Sequence, residues 1–211
     1  MFNDDKKNTL ILRPPNFQTR VLAIIILINF VLAMGVGAYM VALDNDQIDS
    51  HKFTVSQALA HGSKEIMIPL FIVSLLATIL LNYIRGGEIY LLIFRIILAI
   101  FFYTMMIILI WITVEEDKAT HFHLAGTIFT FITIYIFTIT YLFNEYLPGY
   151  NADKILLDLN MVLLYCSFIL LLVFGIFDES DKSEFNSIMF AGNENITILL
   201  NFVPLFYLGF I

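Results

Sequence analysis

The sequence predicts an all-α, polytopic membrane protein built as a bundle of six transmembrane helices. Two observations on composition and one on pattern predict it. Of the 211 residues, 60% are hydrophobic and only 14% are charged, whereas a soluble domain carries about a quarter charged residues. The apolar residues are also gathered into runs of the length, about 20 helical residues, that crosses a hydrocarbon core of roughly 30 Å. Six such runs recur, separated by short polar segments.

Residues 1–19 read as a polar N-terminal tail, with Pro14-Pro15 resisting helix just before Arg20. Residues 20–211 read as one transmembrane domain with spans at about 21–43, 66–84, 89–114, 121–143, 155–177 and 193–211. The first run exceeds the 7–15 apolar residues of a signal peptide, so it is expected to stay as a membrane helix. A loop from Asp44 to about Lys64 follows, and its middle, Thr54 to Ala60, is a candidate for a short surface helix. Arg85-Gly86-Gly87-Glu88 is a tight turn, because paired glycines supply the positive φ it needs. That short link makes the second and third spans an antiparallel hairpin. The loop 144–150 holds a Pro148-Gly149 turn signal, and Asp178 to Glu184 reads as an acidic loop.

Six spans return the C-terminus to the side of the N-terminus. On that side lie Lys6, Lys7, Arg13, Arg20, Arg85, Arg95 and Lys154, against Lys52, Lys64, Lys118 and Lys182 on the other. The excess of basic residues predicts that both termini are cytosolic. The formal charge of −7 comes with no basic stripe able to track phosphates, so nucleic acid is not an expected partner. Cys166 has no second cysteine to pair with and reads as a small packing residue inside an apolar run. No cofactor motif, phosphate loop or metal motif is legible.

The chemistry-bearing residues gather on the side opposite the termini. Between the third and fourth runs stands Glu115-Glu116-Asp117-Lys118-Ala119-Thr120-His121-Phe122-His123. All four histidines, His51, His61, His121 and His123, fall on that side, and histidine with carboxylate is the vocabulary of zinc sites and pH sensors. His121 and His123 are two residues apart, which on a helix is about 200°, so they do not share a face. His121 shares its face with Ala125 and Phe129, and the small Ala125-Gly126 pair is expected to admit a close neighbouring helix. His121, Glu194, His51 and His61 are therefore the candidate ligand-binding groups of an outer polar cleft. Within the membrane, Arg95 lies about six residues into its span and needs a partner or a route to the headgroups. Asp158 is the expected ion-pair partner, and snorkelling to phosphates is the alternative. Asn195-Ile196-Thr197 matches a glycosylation sequon but abuts the membrane, and Pro69 and Pro204 read as kinks.

The layout resembles the DRAM family, which also includes the fibroblast-growth-factor-receptor-activating proteins and their fungal relatives. The resemblance rests on the six-span order, the long first outer loop, the tight second-to-third hairpin, His121-x-x-x-Ala125-x-x-x-Phe129, and the carboxylate in Ala191-Gly192-Asn193-Glu194. The proline-rich first loop and an aromatic residue just after Glu194, both part of that pattern, are not present. The resemblance implies lipid-linked roles and no catalytic mechanism. The expected function is thus a non-enzymatic membrane protein that binds or organises lipids. An accessory subunit of a larger membrane assembly, with protein partners in the membrane, and a metal-dependent lipid hydrolase are the alternatives.

Overall fold

A computed structural model describes residues 12–44, 59, 63–112, 117–146, 152–180 and 184–211. The protein is all-α, 91% helical with no strands among the described residues. Its helices are α1 (Phe17–Asp44), α2 (Lys64–Arg85), α3 (Ile89–Leu109), α4 (Lys118–Tyr146), α5 (Ala152–Ser180) and α6 (Glu184–Phe210). Each is long and apolar enough to cross a membrane, and large apolar side chains such as Val31, Leu80, Ile169 and Leu199 cover the outside of the bundle. Such a surface suits hydrocarbon, not water.

Sequential helices pack side by side, and α1 also packs on α6, so the six close into a ring. The pairs α5–α6 and α1–α2 are the most extensive, while α6 leans inward to touch α4 and α2. The close of the ring is tight. A Cβ added to Gly209 would clash with the Ala23 Cβ, and the Thr19 hydroxyl donates to the Gly209 carbonyl oxygen at 3.0 Å. Small residues let two backbones meet here. Of the Ala125-Gly126 pair, Gly126 itself makes no close approach, since an added Cβ there meets nothing within 4 Å.

Local signals account for the helix ends. Asn16 caps α1 by accepting from the Thr19 amide at 3.0 Å, while the Thr19 hydroxyl accepts from the Asn16 amide at 2.9 Å. Helix α2 stops at a turn where Gly86 (φ 73°) and Gly87 (φ 98°) both have positive φ, as the paired glycines predict. Leu12 bridges to Gly86, with the Arg13 amide donating to the Arg85 carbonyl at 2.9 Å, so the chain before α1 is tied to this turn.

Several helix boundaries differ from those read in the sequence, two of them by five residues or more. Helix α3 ends at Leu109, five residues before the expected Val114. The Trp111 and Ile112 amides close back on the Ile108 and Leu109 carbonyls in tighter turns, and the Ile112 carbonyl is turned toward His121. Helix α6 begins at Glu184, well before the expected Asn193. Its polar first turns still form helix because Phe185 packs edge-on against Phe174 of α5, with ring centroids 6.1 Å apart. Asp178 and Glu179 accordingly belong to α5, not to a loop. Of the candidate surface helix at 54–60, only Leu59 is among the described residues, and it is helical and buried. Cys166 is exposed on the outside of α5 and does not pack in the interior.

Candidate functional site

The bundle interior is polar along two helices that follow the same rule. On α2, Ser74, Thr78 and Asn82 are spaced by four and face inward. On α6, Asn193, Thr197 and Asn201 do the same. In each ladder the side chains hide their donors on carbonyls one turn back. Thr78 Oγ1 donates to Ser74 O at 2.8 Å, and Asn82 Nδ2 to Thr78 O at 2.8 Å. On the other helix, Thr197 Oγ1 donates to Asn193 O at 2.7 Å, and Asn201 Nδ2 to Thr197 O at 2.8 Å. This back-bonding makes polar side chains tolerable in a membrane span.

Cross-helix bonds extend both ladders. Asn82 Nδ2 also donates to Tyr135 Oη of α4 at 2.7 Å, and Thr78 Oγ1 lies 3.2 Å from Tyr103 Oη of α3. Ser167 of α5 sits 2.8 Å from the Thr197 hydroxyl and donates to Asn193 O at 3.2 Å. Lower on the same interface, Asn160 Nδ2 donates to Leu200 O at 3.1 Å. The sequence reading missed these ladders. The signal that could have found them is the four-residue spacing of Ser74, Thr78 and Asn82 inside an otherwise apolar run.

At the face that carries the start of α1, called here the N-terminal face, three arginines surround the Gly86-Gly87 turn. Arg95 is fully buried, which excludes snorkelling, and its Nη2 donates to Gly86 O at 2.7 Å. Asp158 is half-buried at the same end of α5, and each of the two residues makes a further interaction. Arg85 is buried with its guanidinium 5.8 Å from the centroid of the Phe143 ring. Arg13 is exposed, its Nε close to Gly86.

At the opposite face, His121 and Glu194 both turn inward, 0% and 2% exposed. The His121 Nδ1 lies 2.8 Å from Ile112 O. Glu194 is not at the mouth of its helix, because α6 begins at Glu184, and it lies more than one turn inside the candidate span that starts at Ile188. His123 is exposed and bonds Ala119 O, so the 200° separation from His121 is realised. Asp117 is the cap of α4. Its carboxylate accepts from the Thr120 amide at 3.0 Å and the Thr120 hydroxyl at 2.6 Å, and these bonds hold its pKa below the usual value of 3.8. Lys64 Nζ lies 4.1 Å over the ring of Trp111, joining the ends of α2 and α3. His51, His61, Glu115 and Glu116 lie outside the described residues. Among the described residues, no three His, Cys, Asp or Glu side chains lie close enough to share a metal ion. Thr197 is fully buried, with its hydroxyl bonded to Asn193 O, whereas Asn195 of the same sequon is half-buried and Ile196 exposed.

The apolar outside carries a groove of ligand size. With a volume of about 320 Å³, it runs between α1 and α6, walled by Ala23, Ile24, Leu27, Phe202, Phe206 and Phe210. Its lining is almost wholly hydrocarbon, and it opens on the outside of the ring; Arg20, one turn before Ile24 on α1, is exposed.

No family model matches the chain, and neither a curated protein nor a solved structure matches it. The site therefore has to be read from its own geometry.

Proposed function

We propose that the protein is a non-enzymatic, multi-pass membrane protein that binds and organises lipids, and that the groove between α1 and α6 is where a lipid chain lies. The groove carries the reading. Its apolar lining matches an acyl chain, and it opens at the depth where a phospholipid has its tails. Arg20, Ile24 and Leu27 share one face of α1 by spacing, so a guanidinium stands at the mouth of the groove at headgroup level. An anionic phospholipid satisfies both parts, because clustered basic residues at a membrane surface attract acidic headgroups. With the basic excess on the N-terminal face, that leaflet is the cytosolic one. The resemblance to the DRAM family points to lipid-linked roles as well. His121 and Glu194 belong to the interior of the bundle in this reading, because both side chains are buried.

Thermal unfolding in mild detergent tests it, with phosphatidylserine or phosphatidylcholine added in parallel. Phosphatidylserine is expected to raise the midpoint more than phosphatidylcholine does. Arg20→Gln should abolish that difference, and Leu27→Trp, which fills the groove from its exposed wall, should weaken both effects. Equal stabilisation of the wild type by the two lipids, unaltered by Leu27→Trp, overturns the reading.

A further inference from the structure

The two polar ladders meet in the middle of the membrane at a small enclosed cavity. Its volume is about 40 Å³, and α1, α2, α3, α4 and α6 all contribute walls, among them Phe71, Met106, Ile128 and Phe202. Three polar side chains break the apolar lining: Ser74 from α2, Tyr103 from α3 and Asn201 from α6. Two of them carry an unmet hydrogen-bonding group. Asn201 Oδ1 is buried with no partner among the described residues, and the buried Ser74 Oγ makes no hydrogen bond of good geometry there, standing only near the Tyr103 hydroxyl. The reason lies in the ladders themselves. Back-bonding engages the amide donor of Asn201 but leaves its carbonyl oxygen over, and Ser74 heads its ladder, so its carbonyl is used while its hydroxyl is not.

We propose that this cavity is a binding site for ordered water, held by Ser74 and Asn201 with Tyr103 at its edge, and that the water joins the α2 and α6 ladders into one hydrogen-bonded seam. The volume exceeds the roughly 10–15 Å³ that one water requires. The chemistry fits too. Cavities lined only by Leu, Ile and Phe stay dry, whereas a buried water makes about three bonds to polar groups that have no other partner. A serine hydroxyl gives and accepts, an amide oxygen accepts, and the Tyr103 hydroxyl already spans toward Thr78. Burying Ser74 Oγ and Asn201 Oδ1 without a bond is unfavourable, and it is more so where bulk water is a full leaflet away. Once bridged, the seam runs from Thr197, one turn from Glu194, through Asn201, Ser74 and Thr78 to Asn82 and Tyr135. It thereby reaches from the middle of the membrane toward the N-terminal face, where Asn82 and Tyr135 are joined.

A double-mutant cycle on the full chain in detergent micelles tests the site. Ser74→Ala and Asn201→Leu should each lower the unfolding midpoint by about 2–4 °C. The double variant should fall no further than the worse single one, because losing either partner already releases the water. Additive shifts, or a rise in midpoint with Asn201→Leu, mean a dry cavity and overturn the proposal. Should the variants fail to fold, the wild type decides. Water-edited magnetic-resonance transfer should reach the labelled Asn201 side chain as fast as it reaches surface amides, and transfer no faster than that to the buried Leu81 overturns the site.

Discussion

Asn160 of α5 donates its side-chain amide to the carbonyl of Leu200 on α6, at 3.1 Å. That carbonyl is one turn before Pro204. Proline has no N–H to return to it, so the bond within the helix that would satisfy it does not exist. The neighbouring helix supplies the missing donor. A proline that would otherwise leave a polar group bare in hydrocarbon becomes one of the points that join α5 to α6.

Removing the clamp should therefore matter only while the proline is present. Asn160→Ala is expected to destabilise the protein by about 1 kcal/mol, the usual scale of a hydrogen bond between membrane helices. In a Pro204→Ala background, the new backbone N–H takes the Leu200 carbonyl and the same substitution should become nearly neutral. A cycle of unfolding midpoints on the four proteins measures the coupling, and equal losses in both backgrounds would refute it.

Closure of the ring depends on the absence of a side chain at Gly209. Gly209→Ala should clash with Ala23 and lower stability by about 1–3 kcal/mol, the range for overpacked sites. Ala23→Gly should recover part of that loss when combined with it. Recovery distinguishes a steric contact from a general effect on helix α6.

The Gly86-Gly87 turn is expected to be the least substitutable loop among the described residues. Gly87→Ala places a Cβ at 2.9 Å from Leu142 Cδ1 and at a φ of 98°, a region β-carbons disfavour. Expression and detergent stability should fall, whereas Gly126→Ala, which meets nothing, should be tolerated. Similar behaviour of the two variants would contradict the packing described.

Asp117 gives α4 a pH dependence of known sign. Its folded pKa is depressed chiefly by the Thr120 hydroxyl. The contribution is therefore complete above the ordinary value of 3.8 and is lost as pH falls through the lower folded value. Asp117→Asn keeps a capping oxygen but cannot titrate. Unfolding midpoints measured between neutral pH and pH 3 should show a shallower acid limb for the Asn variant than for the wild type.

The number of helices was legible because crossing a membrane requires long apolar runs, and nothing else in the chain imitates them. The ends were less legible. Hydropathy reports where lipid begins, but helix does not stop there. Glu184, Asn186 and Ser187 are polar and still helical, held by Phe185 against Phe174, and Ile110 to Ile112 are apolar yet lie beyond α3. Small residues misled for a related reason. Gly126 and Gly209 look alike in sequence, and only the ring closure shows which one meets a neighbour. Arg95 could be singled out by its depth alone, while one of its acceptors, the Gly86 carbonyl, has no sequence signature at all. The ladders of Ser74, Thr78 and Asn82 and of Asn193, Thr197 and Asn201 hide among tolerated polar substitutions until their common four-residue step is counted.

The pairing of Thr19 with Gly209 bears on how the protein is made. A ribosome delivers α1 first and α6 last of the six, so the seam between them cannot close while the intervening helices are still emerging. Until then α1 has only α2 to lean on, and the groove face of α1, with Arg20 at its end, is open to lipid or to an insertion chaperone. Completion of this fold is thus a late event in biosynthesis, and truncations that remove α6 should leave a first helix that enters the membrane but finds no place in it.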